Sequence, residues 1–157
     1  MGRRSTRPNK NIYQLAREEA GLTREKASEL MAGISDDRIE KIESEKVLIR
    51  PDEVLQMSRC YKKPELCNLY CSRECAIGIE QVPEIKEKDL PTIALEILSV
   101  MRFLEKEKDL LIDISADGQI SEEEIPAFEV IRSHLESLAG TVDALNLWLQ
   151  KQADREN

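Results

Sequence analysis

Residues 15–61 read LAREEAGLTREKASELMAGISDDRIEKIESEKVLIRPDEVLQMSRCY, and the way this stretch breaks decides the fold. Gly21 and Gly33 each follow a run with helical apolar spacing, where a helix end favours a residue tolerant of left-handed backbone. Thr23 and Ser35 precede the next two runs, and a hydroxyl there accepts from the free amides of the helix it opens. Ile39 and Ile42, three apart, give the third run its buried stripe. Pro51 opens a fourth helix with Val54, Leu55 and Met57 inward. Upstream, Ile12, Leu15 and Ala16 share one face of a first helix. Four or five short helices joined by tight turns within about 50 residues make a compact helical domain.

These spacings also form a linked motif. Arg17, Gly21, Leu22 and Thr23 stand as hydrophobic-Arg-x-x-x-Gly-Leu-Thr, Ile39, Ile42 and Glu43 as Ile-x-x-Ile-Glu, and Pro51 precedes the next helix. The stretch resembles the Cro/cI-type, or XRE-family, helix-turn-helix domain, over about a third of the chain. The resemblance implies a five-helix DNA-binding domain over residues 11–66 and a structural ion pair between Arg17 and Glu43. It also implies that the third helix is the recognition helix, with Ser35, Asp36 and Asp37 at the turn where family members contact bases. Arg24 and Glu45 stand where the family commonly has Gln and Gly.

The two aspartates admit three readings. They cap and start the helix, where its dipole favours acid by roughly 0.3–1 kcal/mol. They accept from a cytosine amino group in the major groove. Or they mark a domain that no longer binds DNA, since phosphates repel them. Cations to offset them are at hand: Arg24 at a helix N-terminus, and Arg38, Lys41, Lys46 and Arg50 around the recognition helix. Residues 1–10 read as a basic flexible arm in which Arg3, Arg4, Arg7 and Lys10 can follow a backbone or enter a minor groove, or as a solvated tail with no such role.

Charge divides the chain along the same line. Residues 1–63 hold 14 Lys+Arg against 11 Asp+Glu, giving +3, and residues 64–157 hold 9 against 20, giving −11. Only the first part suits a polyanion. Residues 67–88 read as a cysteine-bearing connection, a short helix from near Pro64 followed by an extended linker. Cys60, Cys67, Cys71 and Cys75 have three readings: small buried side chains, a zinc or iron–sulfur site, or redox-sensing thiols. The C-x3-C-x3-C spacing matches no usual zinc knuckle.

Residues 89–157 read as a long antiparallel helical hairpin. Leu90, Ile93, Ala94, Ile97, Met101, Leu104 and Leu111 follow one helix face. Ile125, Phe128, Ile131, Leu135, Leu138, Val142, Leu145 and Leu149 form a heptad-like seam. Two helices bury little by themselves, so a homodimer through this hairpin is expected. Between them, DISADGQISEEE fits a calcium loop, with Asp113, Ser115, Asp117, Gln119 and Glu124 as ligands around Gly118. The same residues also make a plain turn at Asp117-Gly118 followed by a Ser121–Glu124 capping box.

One His, with no phosphate-binding loop and no metalloprotease motif, argues against an enzyme. No run approaches the roughly 20 apolar residues of a membrane span, and no apolar segment follows the basic N-terminus, so a cytoplasmic protein is expected. The sequence thus predicts an all-α regulator that binds a double-stranded DNA operator as a dimer, without a required cofactor. A protein-interaction module whose acidic recognition helix no longer reads DNA is the alternative.

Overall fold

Asn11, Thr23 and Ser35 each accept a backbone N–H three residues on, from Gln14, Lys26 and Arg38, and each opens a helix. The computed structural model describes residues 9–115 and 118–156, and within them the chain is all-α. The helices are α1 (Ile12–Glu19), α2 (Arg24–Leu30), α3 (Asp36–Glu43), α4 (Pro51–Cys60), α5 (Glu65–Arg73), α6 (Gly78–Gln81), α7 (Leu90–Ser115) and α8 (Ile125–Glu156). The chain divides into two units. One ends at Glu84 and takes in the chain again from Gln150, and the other is Ile85–Leu149.

In the first unit the core gathers Tyr13, Ala16, Ala27, Ile39, Ile42, Val54, Met57, Tyr61 and Leu66. Two residues expected inward are not: Leu15 and Leu55 are 43% and 42% exposed. The buried positions of α1 are instead Tyr13, Gln14, Ala16 and Arg17, the last being the arginine that reaches α3. On α4 the inward positions are Glu53, Val54, Met57 and Ser58, because Glu53 is drawn in by an arginine of α3.

Three helices of this unit end in the same turn. After α1, Gly21 takes φ 71° and the Leu22 amide donates to the Arg17 carbonyl. After α3, Glu45 takes φ 57° and Lys46 donates to the Lys41 carbonyl; after α4, Lys62 takes φ 54° and Lys63 donates to Ser58. Each is a left-handed cap closing a six-residue hydrogen bond, a turn in which glycine is the unstrained residue.

The segment expected to be a connection belongs to the first unit as far as Glu84. Gly78 explains how α6 can lie so close to α5: a Cβ there would stand 2.0 Å from the Cys71 carbonyl oxygen. Residues 82–89 form no helix and lead into α7.

In the second unit α7 and α8 run antiparallel. Thr141 donates to Glu96 at 3.4 Å, His134 stacks on Phe103 at 4.8 Å between ring centres, and its Nδ1 lies 2.9 Å from Glu107. As the number rises along α7 it falls along α8, which defines the hairpin. The expected seam on α8 is divided: Ile131 is buried and Leu138 and Leu145 half-buried, while Leu135, Val142 and Leu149 are exposed. No helix among the described residues is long and apolar enough to cross a membrane.

Candidate nucleic-acid interface

The geometry around α3 begins with a buried charge cluster. Arg17 reaches Glu43 through two bonds, Nε at 2.5 Å and a terminal nitrogen at 3.0 Å, and donates a third to the Leu22 carbonyl at 2.6 Å. Burial is the largest influence and works against the Arg17 charge, but the hydrogen bond to Glu43 and the attraction of its carboxylate together outweigh it and keep the guanidinium protonated. The pair joins the end of α1 to the end of α3. Its worth is in position more than in stability, since desolvating both charges cancels much of their attraction.

Two cations expected at phosphates are engaged inside the domain. Arg24 donates to Glu43 at 2.8 Å, so one carboxylate accepts from two arginines. Arg38 makes a forked pair with Glu53, both bonds 2.8 Å, and a further bond to the Leu48 carbonyl at 2.9 Å. The cause is local: Glu43 and Glu53 are 1% and 2% exposed, and a buried carboxylate must be matched by cations and donors. The planar fork of Arg38 matches Glu53 and locks α3 to the loop and helix that follow.

What remains outward on α3 is its first turn and one edge. Ser35, Asp36 and Asp37 are exposed, and the Ser35 oxygen is occupied as the cap of Arg38. The Lys41 side chain is exposed and has no hydrogen bond or ion pair among the described residues. Lys46 meets Glu40 at 3.4 Å, both well exposed, and Arg50, its side chain 63% exposed, lies 3.4 Å from Asp52 and 3.5 Å from the buried Glu53. Such surface pairs are worth at most about 1 kcal/mol, so Lys46 and Arg50 stay free to exchange partners. Lys10 is held by Glu18 at 2.6 Å. Arg3, Arg4 and Arg7 lie outside the described residues.

Several residues that hold this face together were not singled out in the sequence. Asn11 caps α1 and also donates to the Ile42 carbonyl at 2.9 Å, joining the start of α1 to the end of α3. Its signal was an Asn directly before an apolar run. Glu53 accepts from the Arg50 amide at 2.9 Å as well as from Arg38. Its signal was a Glu three residues after the residue preceding a helix, the second half of a capping box. Tyr13 donates to Glu74 at 2.6 Å, a contact across 61 residues that no local spacing reveals.

The other candidate sites are placed as follows. Cys60, Cys67, Cys71 and Cys75 are all free thiols, half-buried, and burial raises the Cys60 pKa, away from the reactive thiolate. Among the described residues no group of three or more His, Cys, Asp or Glu side chains is arranged to hold a metal ion, and all four cysteines are among them. In the calcium-like loop, Asp117 and the side chain of Ser115 lie outside the described residues. Helix α7 continues through Ser115, so Asp113 stands on a helix and is exposed, and Gln119 is exposed too. Glu124 accepts from the Ser121 amide at 2.8 Å and its hydroxyl at 2.6 Å, the arrangement of a helix-opening box.

No family model, no curated protein and no solved structure matches the chain.

Proposed function

We propose that the chain is a sequence-specific DNA-binding transcriptional regulator acting as a dimer. The observation that supports this best is α3 itself: a short helix packed on α2, fixed at its end by the Arg17–Glu43–Arg24 cluster, with Asp36 and Asp37 exposed at its first turn. A rigid polar helix end is the form in which side chains meet base edges in a major groove. In this reading Asp36 and Asp37 accept from base amino groups, and Lys41, Lys46, Arg50 and the arm with Arg3, Arg4 and Arg7 meet phosphates. Arg24 and Arg38 act by positioning α3. A dimer through the C-terminal hairpin reads two half-sites, roughly one helical turn of DNA apart.

One observation favours the alternative, a protein-interaction module. The outward turn of α3 carries two aspartates, and two of the arginines near it are bound to buried glutamates. That leaves a surface poorer in free positive charge than a polyanion favours.

Replacing both aspartates with Asn separates the readings. Against a panel of operator variants, Asp36→Asn with Asp37→Asn should lower affinity for the preferred site by roughly 10-fold to 100-fold and flatten the preference among variants. A uniform gain across all sequences would mean that the aspartates only repel phosphates, and would remove base reading by this turn.

A further inference from the structure

We propose that the α7–α8 hairpin is built to pair with a second copy of itself, and that the pairing face is the side bearing Ile97, Met101 and Leu104 on α7 and Leu135, Val142 and Leu149 on α8. This deepens the dimer in the proposed function and rests on that part of it. Glu96 and Phe103 meet α8, and His134 and Thr141 meet α7. Ile97, Leu104, Leu135 and Val142 each follow one of these four by a single residue, and so lie about 100° further round their own helix in the same sense. In an antiparallel pair the same sense of rotation leads to the same side. The two stripes therefore make one two-helix surface.

That surface is apolar and uncovered. Met101, Leu135, Val142 and Leu149 are 56%, 45%, 42% and 51% exposed, and Ile97 and Leu104 are half-buried. The opposite side is mixed: Leu95, Leu110 and Val130 are exposed there, but they stand among Ser99, Arg102, Lys106, Ser133 and Gly140 and form no heptad stripe. The continuous seven-residue stripe of α8 lies on the first side only.

Area and symmetry select a second copy as the occupant. The six side chains leave on the order of 500 Å² of apolar surface open, at the upper range for the largest patch on a monomer. A standard interface takes about 800 Å² from each partner, of which some 60% is apolar, so one face of this size meets the need of one partner. A two-fold interface must also be self-complementary. Phe128, Leu135, Val142 and Leu149 recur every seven residues and are symmetric about Leu138–Ala139. Antiparallel packing of α8 on its copy sets Leu135 opposite the partner's Val142, with the small Ala139 near the crossing. Four helices then enclose a core that two cannot.

Sedimentation equilibrium of the full chain without DNA tests this. The wild type should sediment as a dimer of the 18.0 kDa chain. Leu135→Lys and Val142→Glu should each raise the dissociation constant by at least ~100-fold, because each buries an unpaired charge at the contact. The double variant, which sets Lys opposite Glu, should recover most of the loss. Ser133→Lys, on the opposite side, should leave the dimer unchanged. Both positions are exposed in the single chain, so far-UV circular dichroism should show each variant as helical as the wild type. A wild type monomeric at about 100 µM, or a Ser133→Lys effect equal to that of Leu135→Lys, would overturn the proposal. A dimer that ignores DNA would remove the regulator reading and leave this one standing, and a monomer that binds DNA would do the reverse.

Discussion

Glu45 is a glutamate in a glycine's place. It holds φ 57° at the end of α3, where an L-residue's Cβ crowds the backbone and glycine's does not. Among the described residues its exposed side chain has no hydrogen bond or ion pair to repay that strain. Glu45→Gly should therefore stabilise the domain by about 1 kcal/mol even after the added freedom of the unfolded chain is deducted. Chemical denaturation would read the gain as a higher midpoint at unchanged slope, and a midpoint at or below the wild type's would contradict it. At this scale the sequence was partly legible. The Arg17–Glu43 pair could be expected because both residues belong to one linked motif, and the structure joins them. The partners of Arg24 and Arg38 could not, because Glu43 and Glu53 lie 19 and 15 residues away and only the folded packing of α2, α3 and α4 makes them neighbours.

Between elements, the strongest tie on the outer side of α3 is Arg38 to Glu53 of α4. The bond from Arg38 holds the Glu53 carboxyl below its usual 4.5, burial opposes this, and the Arg50 amide adds to the lowering. A carboxylate depressed on folding contributes stability that is present above its unfolded value and lost as pH falls through the folded one. The stability difference between wild type and Glu53→Gln should thus be large at neutral pH and narrow as pH drops below 4.5. Thermal midpoints measured across that range would show it, and a constant difference would mean that Glu53 acts by shape alone. Helix positions were the most legible feature of the sequence, since caps and glycines mark them locally. Which face each helix buries was less so. Leu15 and Leu55 look like core residues by periodicity, but charged side chains on the same helices hold the inward positions because they are paired there. On α8 the heptad pattern was visible, but not its division into an inner and an outer half, since period alone does not say how many partners a helix has.

For the whole molecule, the all-α architecture follows from composition and spacing, and the two units follow the change of charge along the chain only approximately. The first extends to Glu84 because Gly78 lets α6 lie against α5, a fit at one atom that composition does not display. Under the proposed function, the first unit serves a polyanion and the hairpin pairs two such units. Binding of the full chain to the DNA upstream of its own gene, followed by fluorescence anisotropy as salt rises from about 50 to 200 mM, tests that claim most directly. Saturable binding, with the logarithm of affinity falling linearly against the logarithm of salt at a slope of roughly −4 to −8, is the result expected of a dimer contacting several phosphates through each copy. A folded dimer that binds no DNA at the lowest salt would contradict the account and leave the protein-interaction reading of α3 in its place.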